Sequence, residues 1–390
     1  MKNFFYVVCI SLLLSSLSAC NTAPSLEEQA KEKLNEVLAS HNAVGLSVAV
    51  VKDGKVIYTQ AVGYSNLEDS TLLNTDNLFR IASISKSFTA TAIMQLHEAG
   101  EFNLDDDVSI ALGVPVKNPK YPDTFITYRM LLSHTSSLSD KNGYFTFDAV
   151  DPEKNENYAN AYNDYIPGSK YEYCNLGFNM LGALVEIHSG ERFDEYIKAH
   201  IIDPLKLNAG YNVNMLDVGL FARIYDLEDG KYTWQPEAYA PRKEQIENGY
   251  VMGRTTPIFS PTGGMKIAPK DLAKHMLVQI GGGTFDGAKI LSLESVTAMQ
   301  TPYQYEGQNL EDDYGFALRV TDKLIKGEVL VGHTGSAYGL YSAMFFEPQK
   351  KFGIIMMTNG SPAQRGENGF LTIQSDAINA LYDVFIREVK

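Results

Sequence analysis

Apolar and polar positions near the N-terminus follow two different repeats, one after the other. Residues 26–40 carry apolar side chains at Leu26, Ala30, Leu34 and Val37, which is the spacing of a helix with one buried face. The next segment has two apolar runs on either side of Asp53-Gly54, a dipeptide that favours the tight turn of a β-hairpin. The pattern therefore predicts a helix followed by a hairpin.

Near the C-terminus the strand pattern returns and is followed by a helix pattern. Short apolar runs separated by turn residues predict strands at residues 329–331, 341–346 and 352–358. A helical repeat from about residue 372 to residue 389 predicts a last amphipathic helix. Strands from both ends of the chain are therefore available to form one sheet.

The middle of the chain, from about residue 102 to residue 305, has a different pattern of short helices and long loops. The helices are predicted at residues 128–132, 176–188, 193–200 and 270–280. We therefore expect an α+β fold, in which one antiparallel sheet is flanked by the terminal helices and a mainly helical subdomain is inserted. The α/β part would cover about 26–100 and 306–390, and the helical subdomain about 101–305.

The first residues resemble a bacterial export signal. Lys2 precedes an apolar run that is too short to span a bilayer comfortably, and the run ends in Leu-Ser-Ala-Cys at residues 17–20. This resembles a lipobox, which we favour over an ordinary signal peptide that happens to contain a cysteine. We expect a lipoprotein signal peptide at 1–19, a lipid on Cys20 and a tether at 20–25. The protein would then be held at a membrane of the cell envelope, which in a Gram-negative cell would be the outer membrane or the periplasmic side.

Composition argues against several classes of function. The net charge of −14 argues against nucleic-acid binding, because nothing would neutralise the phosphates. Once Cys9 is removed and Cys20 is lipidated, only Cys174 remains, so we expect no intramolecular disulfide. No two of the seven histidines have the spacing of a metal-binding pair, and we expect no metal and no other cofactor.

The candidate chemistry begins with a Ser-x-x-Lys motif at Ser83 and Lys86. A helical repeat runs from Ile84 and stops at Gly100, so Ser83 should lie at or just before the first turn and share a face with Lys86. A serine hydroxyl needs a neighbouring base, and lysine serves as one only when burial or nearby positive charge lowers its pKa. Alone the motif is weak, since a helix cap beside an exposed lysine has the same sequence.

Two further motifs follow at greater distance along the chain. Tyr173 and Asn175 lie two residues apart, so their side chains point the same way in an extended segment, although core packing and a helix cap would explain them equally well. His333, Thr334 and Gly335 end a predicted strand, where a glycine lets the backbone lie against a substrate. The alternative there is a strand end with a hydrogen-bonded histidine.

In this order the three motifs resemble the serine β-lactamase and penicillin-binding-protein family, which has Ser-x-x-Lys, Tyr- or Ser-x-Asn, and Lys-Thr-Gly. The tyrosine in the second motif resembles the form found in the class C branch and in related D-alanyl-D-alanine carboxypeptidases, D-aminopeptidases and esterases. The flanking segments MLLSHTSSL at 130–138 and SPTGGMKIAPKDLAKHM at 260–276 also resemble this family. The resemblance runs from about residue 45 to residue 360 and implies a β-lactamase-like fold.

The resemblance also implies a role for each motif residue. Ser83 would attack a carbonyl and form an acyl-enzyme. Lys86 and Tyr173 would share the proton transfers, with Tyr173 taking the Ser83 proton and later activating water, although the choice of base stays open. Asn175 would hydrogen-bond the substrate amide, and the backbone N–H groups of Ser83 and Ser336 would form the oxyanion hole.

The chain departs from the family pattern at two positions. His333 stands where penicillin-recognising members have lysine, and a mostly neutral imidazole predicts a weaker preference for a substrate carboxylate. We expect carboxylate binding to strengthen toward pH 6, as the imidazole gains charge. Ser137 stands where the family usually has glycine, which calls the local turn into question.

Three functions are consistent with the sequence. The first is an envelope-anchored serine hydrolase that acts on a small peptide, amide or ester. The second is a true class C-type β-lactamase or a D-Ala-D-Ala carboxypeptidase. The third is a non-enzymatic sensor that binds peptidoglycan fragments or β-lactams. Retention of Ser83, Lys86, Tyr173 and Asn175 favours an active enzyme, while the exact substrate and the oligomeric state stay open.

Overall fold

The computed structural model describes residues 24–305 and 313–387. The predicted signal peptide and Cys20 therefore lie outside the described residues. In the described part of the chain the helices are α1 (Leu26–Ser40), α2 (Ser85–Glu98), α3 (Val108–Leu112), α4 (Tyr128–Leu132), α5 (Asn175–Ser189), α6 (Phe193–Ile197), α7 (Lys243–Glu247), α8 (Pro269–Ile280), α9 (Leu293–Gln300) and α10 (Thr372–Phe385). No helix in these two ranges is both long and apolar enough to cross a membrane.

The strands follow the same pattern of two ends and a middle. They are β1 (Gly45–Lys52), β2 (Lys55–Asn66), β3 (Thr71–Leu72), β4 (Phe79–Arg80), β5 (Ala209–Gly210), β6 (Tyr225–Glu228), β7 (Lys231–Trp234), β8 (Lys266–Ile267), β9 (Thr284–Phe285), β10 (Ala288–Lys289), β11 (Arg319–Thr321), β12 (Leu330–Ala337), β13 (Leu340–Glu347) and β14 (Phe352–Thr358). Seven of them form one antiparallel sheet in the order β11-β12-β13-β14-β1-β2-β3, which confirms the predicted sheet built from both ends of the chain.

Both faces of this sheet are buried, and β1 shows how the sequence achieves it. Leu46, Val48 and Val50 pack on the side of the terminal helices α1 and α10, while Ala49 and Val51 pack on the side of α2, α5 and α8. Alternate side chains of a strand point to opposite faces, so β1, which is buried at residues 45–51, must be covered on both. The helical middle of the chain therefore supplies the second cover of the sheet.

The turns at the N-terminal end form as their residue types predict. Asp53 and Gly54 have φ angles of 51° and 75°, the left-handed conformation that a two-residue hairpin turn requires. Ser25 caps α1 by accepting a hydrogen bond from the backbone N–H of Glu28, whose carboxylate accepts one from Ser25 N in return. The predicted helix and hairpin are confirmed.

The strand that carries His333 is longer than the sequence predicts. Residues 333–335 lie within β12, which continues to Ala337, and the turn into β13 falls at Tyr338 and Gly339. The expectation that the motif ends its strand is therefore wrong. The polar residues of this motif interrupt the apolar run by which a sequence pattern detects a strand. They are tolerated in β12 because one face of the strand opens into a cavity instead of the core.

The middle of the chain also contains short strands that the sequence pattern missed. β6 and β7 pair as a hairpin, and β8 pairs with both β4 and β5 in a small sheet. Strands of two to four residues are too short to show a period of two, so only their long-range partners define them. The sheet of β4, β8 and β5 matters for the site, because β4 leads directly into the turn that carries Ser83.

Candidate active site

Ser83 lies on a short 3₁₀ turn, Ala82–Ile84, between β4 and α2. Ala82 has a φ angle of 48°, a left-handed conformation that costs a residue with a Cβ about 1 kcal/mol. Tertiary hydrogen bonds hold the turn: Ile81 N donates to Met265 O at 2.9 Å, and Ser342 Oγ donates to Ile81 O at 3.0 Å. The predicted position of Ser83 just before the first turn of α2 is confirmed.

The Ser83 hydroxyl oxygen is in contact with the two groups that the sequence proposed as its proton partners. Lys86 Nζ lies 3.1 Å from Ser83 Oγ, and the Tyr173 hydroxyl lies 2.8 Å from it. The folded chain therefore brings together residues that lie 90 positions apart in sequence, at the distance that proton transfer requires.

Lys86 is fully buried and makes three hydrogen bonds. Besides Ser83 Oγ, its Nζ lies 2.9 Å from Asn175 Oδ1 and 2.9 Å from the backbone oxygen of Thr262. Burial lowers the pKa of the amine to about 7, while the carboxylate of Asp140 and the thiol of Cys174 act in the opposite direction. A large part of the Lys86 population is therefore neutral near pH 7.

Tyr173 lies in an aromatic surrounding that keeps its hydroxyl protonated. Its ring packs against His134 at 4.3 Å between centroids, and the Lys86 amine lies 4.8 Å from the ring centre. Burial raises the pKa of Tyr173 above its usual value near 10, and the hydrogen bond with Ser83 only partly offsets this. Near neutral pH the Tyr173 hydroxyl is a proton donor.

Asn175 is the first residue of α5, and its side chain faces Lys86. The amide oxygen is 2.9 Å from Lys86 Nζ and 2.7 Å from Thr262 Oγ1, while Nδ2 is 2.9 Å from a carboxylate oxygen of Asp140. Asp140 also accepts from the backbone N–H groups of Asn175 and Leu176, both at 2.9 Å. The cap of α5 is thus supplied by Asp140, and Asn175 is left for the site.

The third motif lines the same cavity, but its histidine is not free to bind a charge. His333 is 6% exposed, with Nδ1 against the backbone oxygen of Thr334 and Nε2 at 2.9 Å from the Tyr314 hydroxyl. A carbonyl oxygen only accepts, so Nδ1 carries the hydrogen and Nε2 accepts from Tyr314. Burial, followed by the nearby Lys86, lowers the pKa of His333 to about 3.

This overturns the expectation that His333 gains charge toward pH 6. An imidazole whose pKa is about 3 stays neutral throughout the range in which an exposed histidine titrates. Positive charge comes instead from two arginines that the sequence analysis did not select, Arg319 and Arg365. Both line the cavity that contains Ser83, Thr334 and Ser336.

The cavity has a volume of about 420 Å³ and contains most of the predicted site residues. Its lining consists of Ser83, Tyr171, Tyr173, Asn175, Tyr314, Arg319, His333, Thr334, Ser336 and Arg365. Gly335 lines a smaller neighbouring cavity instead. A Cβ atom on Gly335 would point at the turn that carries Ser83. A second lobe, lined by Arg80, Tyr144, Phe145 and Tyr338, opens on the other side of Ser83.

Three residues that the sequence analysis passed over help to build the site. Thr262 contacts Lys86 and Asn175, and Asp140 caps α5. His134 holds the segment before α5: its Nδ1 accepts a hydrogen bond from Cys174 N at 3.2 Å, and its backbone oxygen accepts one from Glu172 N at 2.8 Å. His134 and Thr262 lie in flanking segments that carried the family resemblance. Asp140 belongs to none of the motifs, and no local sequence pattern marks it.

The substitution at Ser137 leaves the local turn in place. Ser137 has a φ angle of 63°, the left-handed conformation for which the glycine usual in the family is suited. Its hydroxyl accepts from Asn118 Nδ2 at 2.9 Å, and its backbone oxygen accepts from Asn163 N at 2.7 Å. These bonds offset the conformational cost of a side chain at this position.

Comparison with known proteins agrees with this geometry. A family model described as Beta-lactamase matches residues 30–376. The chain is 26% identical to "Penicillin-binding protein 4" of Amycolatopsis lactamdurans over 345 residues, which is 85% of each protein. It is 29% identical to "Penicillin-binding protein 4*" of Bacillus subtilis (strain 168) over 238 residues, a match that covers 57% of this chain and 49% of that protein.

Solved structures with the same fold include a penicillin-binding protein homologue and an amidase. The octameric penicillin-binding protein homologue from Pyrococcus abyssi has a TM-score of 0.68 at 27% identity, covering 91% of this chain and 76% of its own. The D-amino acid amidase from Ochrobactrum anthropi SV3 has a TM-score of 0.69 at 20% identity, covering 92% of this chain and 98% of its own. At that identity the second similarity shows the fold alone.

The close approach of β12 to the Ser83 turn yields a testable prediction. A Cβ on Gly335 would lie 2.3 Å from Ile81 O and 2.3 Å from Ser342 Oγ, so Gly335→Ala must push β12 away from Ser83. We expect the rate at which a fluorophosphonate reacts with Ser83 to fall about 100-fold. Gly177→Ala in α5 is the matched control, because its Cβ meets nothing closer than Leu131 Cδ2 at 3.4 Å. Equal rates in the two variants would contradict the prediction.

Proposed function

Because the chain belongs to the beta-lactamase family, we propose that it is a serine hydrolase that forms an acyl intermediate on Ser83 with a small amide, peptide or ester substrate. The observation that carries the proposal is the surrounding of Lys86 Nζ, which is buried and lies within hydrogen-bond distance of Ser83 Oγ, Asn175 Oδ1 and Thr262 O.

The geometry supports Lys86 as the base. A neutral amine has two N–H bonds and one lone pair. The oxygens of Asn175 and Thr262 only accept, so the two N–H bonds are directed to them at 2.9 Å each. The lone pair is left facing Ser83 Oγ at 3.1 Å. Tyr173, whose pKa is raised, is the poorer base in the free enzyme and the better proton donor.

The proposed reaction then runs in two balanced halves. The Ser83 proton moves to Lys86 as Oγ bonds to the substrate carbonyl carbon, and the carbonyl electron pair moves onto its oxygen. When this pair returns, the bond to the leaving amine or alcohol breaks, and the leaving group takes the Tyr173 proton, which Lys86 then replaces. Water attacks the acyl group through the same transfers in reverse and releases the acid.

The remaining motif residues have supporting roles in this proposal. One N–H of Asn175 Nδ2 is directed to Asp140, which leaves the other for a substrate carbonyl. Backbone N–H groups of Ser83 and Ser336 would stabilise the negative carbonyl oxygen, and both residues line the cavity. Thr334 and Gly335 form the strand edge along which the substrate backbone would lie.

One observation favours a second candidate, a carboxypeptidase or β-lactamase that binds a substrate carboxylate. Arg319 and Arg365 line the cavity together with Thr334 and Ser336, so fixed positive charge is present although His333 is neutral. The non-enzymatic sensor has no such support, since Ser83 already has both of its proton partners within 3.1 Å.

We further propose that the protein is an envelope lipoprotein anchored through lipid on Cys20. The support is the sequence pattern alone, an apolar run that ends in Leu-Ser-Ala-Cys at residues 17–20. Only a short segment then separates Cys20 from α1, which begins at Leu26, so the catalytic part would lie close to the membrane.

Labelling of whole cells tests the hydrolase and its anchor together. We expect a fluorophosphonate to label one band in the membrane fraction, and Ser83→Ala to remove the label because the nucleophile is gone. Cys20→Ala should keep the label but move it to the soluble fraction. A fluorescent penicillin, applied in parallel, identifies the β-lactam-binding alternatives. Labelling that survives in Ser83→Ala, or a Cys20→Ala protein that stays in the membrane, would contradict the respective part.

A pair of matched esters, one with a free carboxylate on the leaving side and one with a carboxamide there, tests the second candidate. We expect Arg319→Gln to raise KM about tenfold for the carboxylate alone, because that substrate loses a charged hydrogen bond. The affinity of Lys86→Met for the carboxylate ester, measured in the absence of the other titrating amine, should stay flat between about pH 5.5 and about pH 8, since His333 remains neutral. An affinity that rises toward the acid end would show that His333 gains charge. Arg223→Gln, in an exposed pair with Glu68, is the control.

A further inference from the structure

We propose that Asp140 is a positioning residue whose carboxylate fixes the orientation of the Asn175 amide and, through that amide, aims the Lys86 amine at Ser83. The effect on turnover rests on the proposed function, whereas the effect on Lys86 itself does not. Asp140 lies on a 3₁₀ turn, Asp140–Asn142, that follows the segment containing His134.

The Asp140 carboxylate collects four donors from one short stretch of chain. One oxygen accepts from Asn175 N and Asn175 Nδ2, each at 2.9 Å, and the other accepts from Leu176 N at 2.9 Å and Cys174 Sγ at 3.2 Å. Two of these donors are backbone groups at the start of α5, and a helix cap needs no more than these. The bond to Asn175 Nδ2 is additional, and it is directed at the side chain that contacts Lys86.

That additional bond decides which end of the Asn175 amide faces Lys86. A carboxylate only accepts, so the NH₂ end must face Asp140 and the oxygen must face Lys86 and Thr262 Oγ1. Rotating the amide by half a turn would set its oxygen against the carboxylate and its N–H bonds against the Lys86 amine. The contact between the amide oxygen and the carboxylate would then be repulsive, and the amide N–H bonds would compete with Ser83 for the Lys86 lone pair, so Asp140 excludes the rotated form.

The orientation of Asn175 in turn controls Lys86. With the amide oxygen as an acceptor, one Lys86 N–H is taken up and the lone pair is left for Ser83. The negative charge of Asp140 also lies one amide group away from Nζ and stabilises the protonated amine. The other titratable groups that face Lys86 are Cys174, Tyr173, His134 and His333, and none of them carries a fixed negative charge.

Removing the charge of Asp140 therefore has a consequence that loss of a helix cap alone would not have. Without the carboxylate the protonated form of Lys86 loses its stabilising neighbour, so the amine should release its proton at a lower pH. A cap that only holds α5 would change the melting temperature and the amount of active protein, but not the pH at which Lys86 titrates. The titration of Lys86 thus separates the two roles.

The experiment follows the ¹³Cε resonance of Lys86 against pH in full-length protein labelled with [ε-¹³C]lysine. The resonance is identified by its loss in Lys86→Met. We expect a midpoint near pH 7 in the wild type and a decrease of about half a pH unit or more in Asp140→Asn. Asp140→Ser is a second charge-free variant that can still cap α5. Asp148→Asn, whose exposed carboxylate pairs with Lys154, is the matched control and should leave the midpoint unchanged.

The outcomes separate this proposal from the proposed function. A lower midpoint in the charge-free variants supports the positioning role, and an unchanged or higher midpoint overturns it. The fluorophosphonate rate is measured on the same samples, and its pH dependence should shift with the midpoint. If the wild type does not react with the fluorophosphonate at all, the proposed hydrolase is wrong, but the ¹³C titration still decides the role of Asp140.

Discussion

The buried amine of Lys86 is the group on which the rest of the site depends. A charged ammonium loses its hydration on burial, and the three hydrogen-bond partners of the Lys86 amine are uncharged oxygens instead of carboxylates. The pKa of the amine therefore falls to about 7, so that Lys86 can take up or release a proton near neutral pH. Asn175 and Thr262 then fix its direction, because two obligate acceptors leave its lone pair to Ser83.

The fold serves this one contact by joining distant parts of the chain. Ser83 and Lys86 come from the start of α2, Tyr173 and Asn175 from the start of α5, and Thr262 from the loop before β8. Apolar side chains of α2, α5 and the sheet pack together in one core, and this core excludes water from the Lys86 amine. The strain at Ala82 is tolerated because Met265 and Ser342 hydrogen-bond the neighbouring Ile81 backbone and β12 packs closely against the turn. Burying a lysine amine in this way requires a large core, and much of the chain contributes to that core.

The long periodic elements and the position of Ser83 before α2 were predictable from the sequence, and the electrostatics were not. Residues 26–40, the hairpin at Asp53-Gly54 and the strands near the C-terminus have repeats that local patterns detect. Several strands of the middle region are too short to show a period of two. Burial lowers the pKa of His333, and no sequence motif reveals that burial. Asp140 shows the same limit, since its role arises from a contact with the start of α5, 35 positions away in sequence.

The most direct test of the central claim is the rate of fluorophosphonate reaction with Ser83 as a function of pH, in the wild type and in Lys86→Met. The protonated amine has no lone pair, so the wild-type rate should rise with pH through a single midpoint near 7, the pH at which Lys86 loses its proton. Lys86→Met should react slowly at every pH and show no such midpoint. The same midpoint in Lys86→Met would contradict the account, because another group would then be the base.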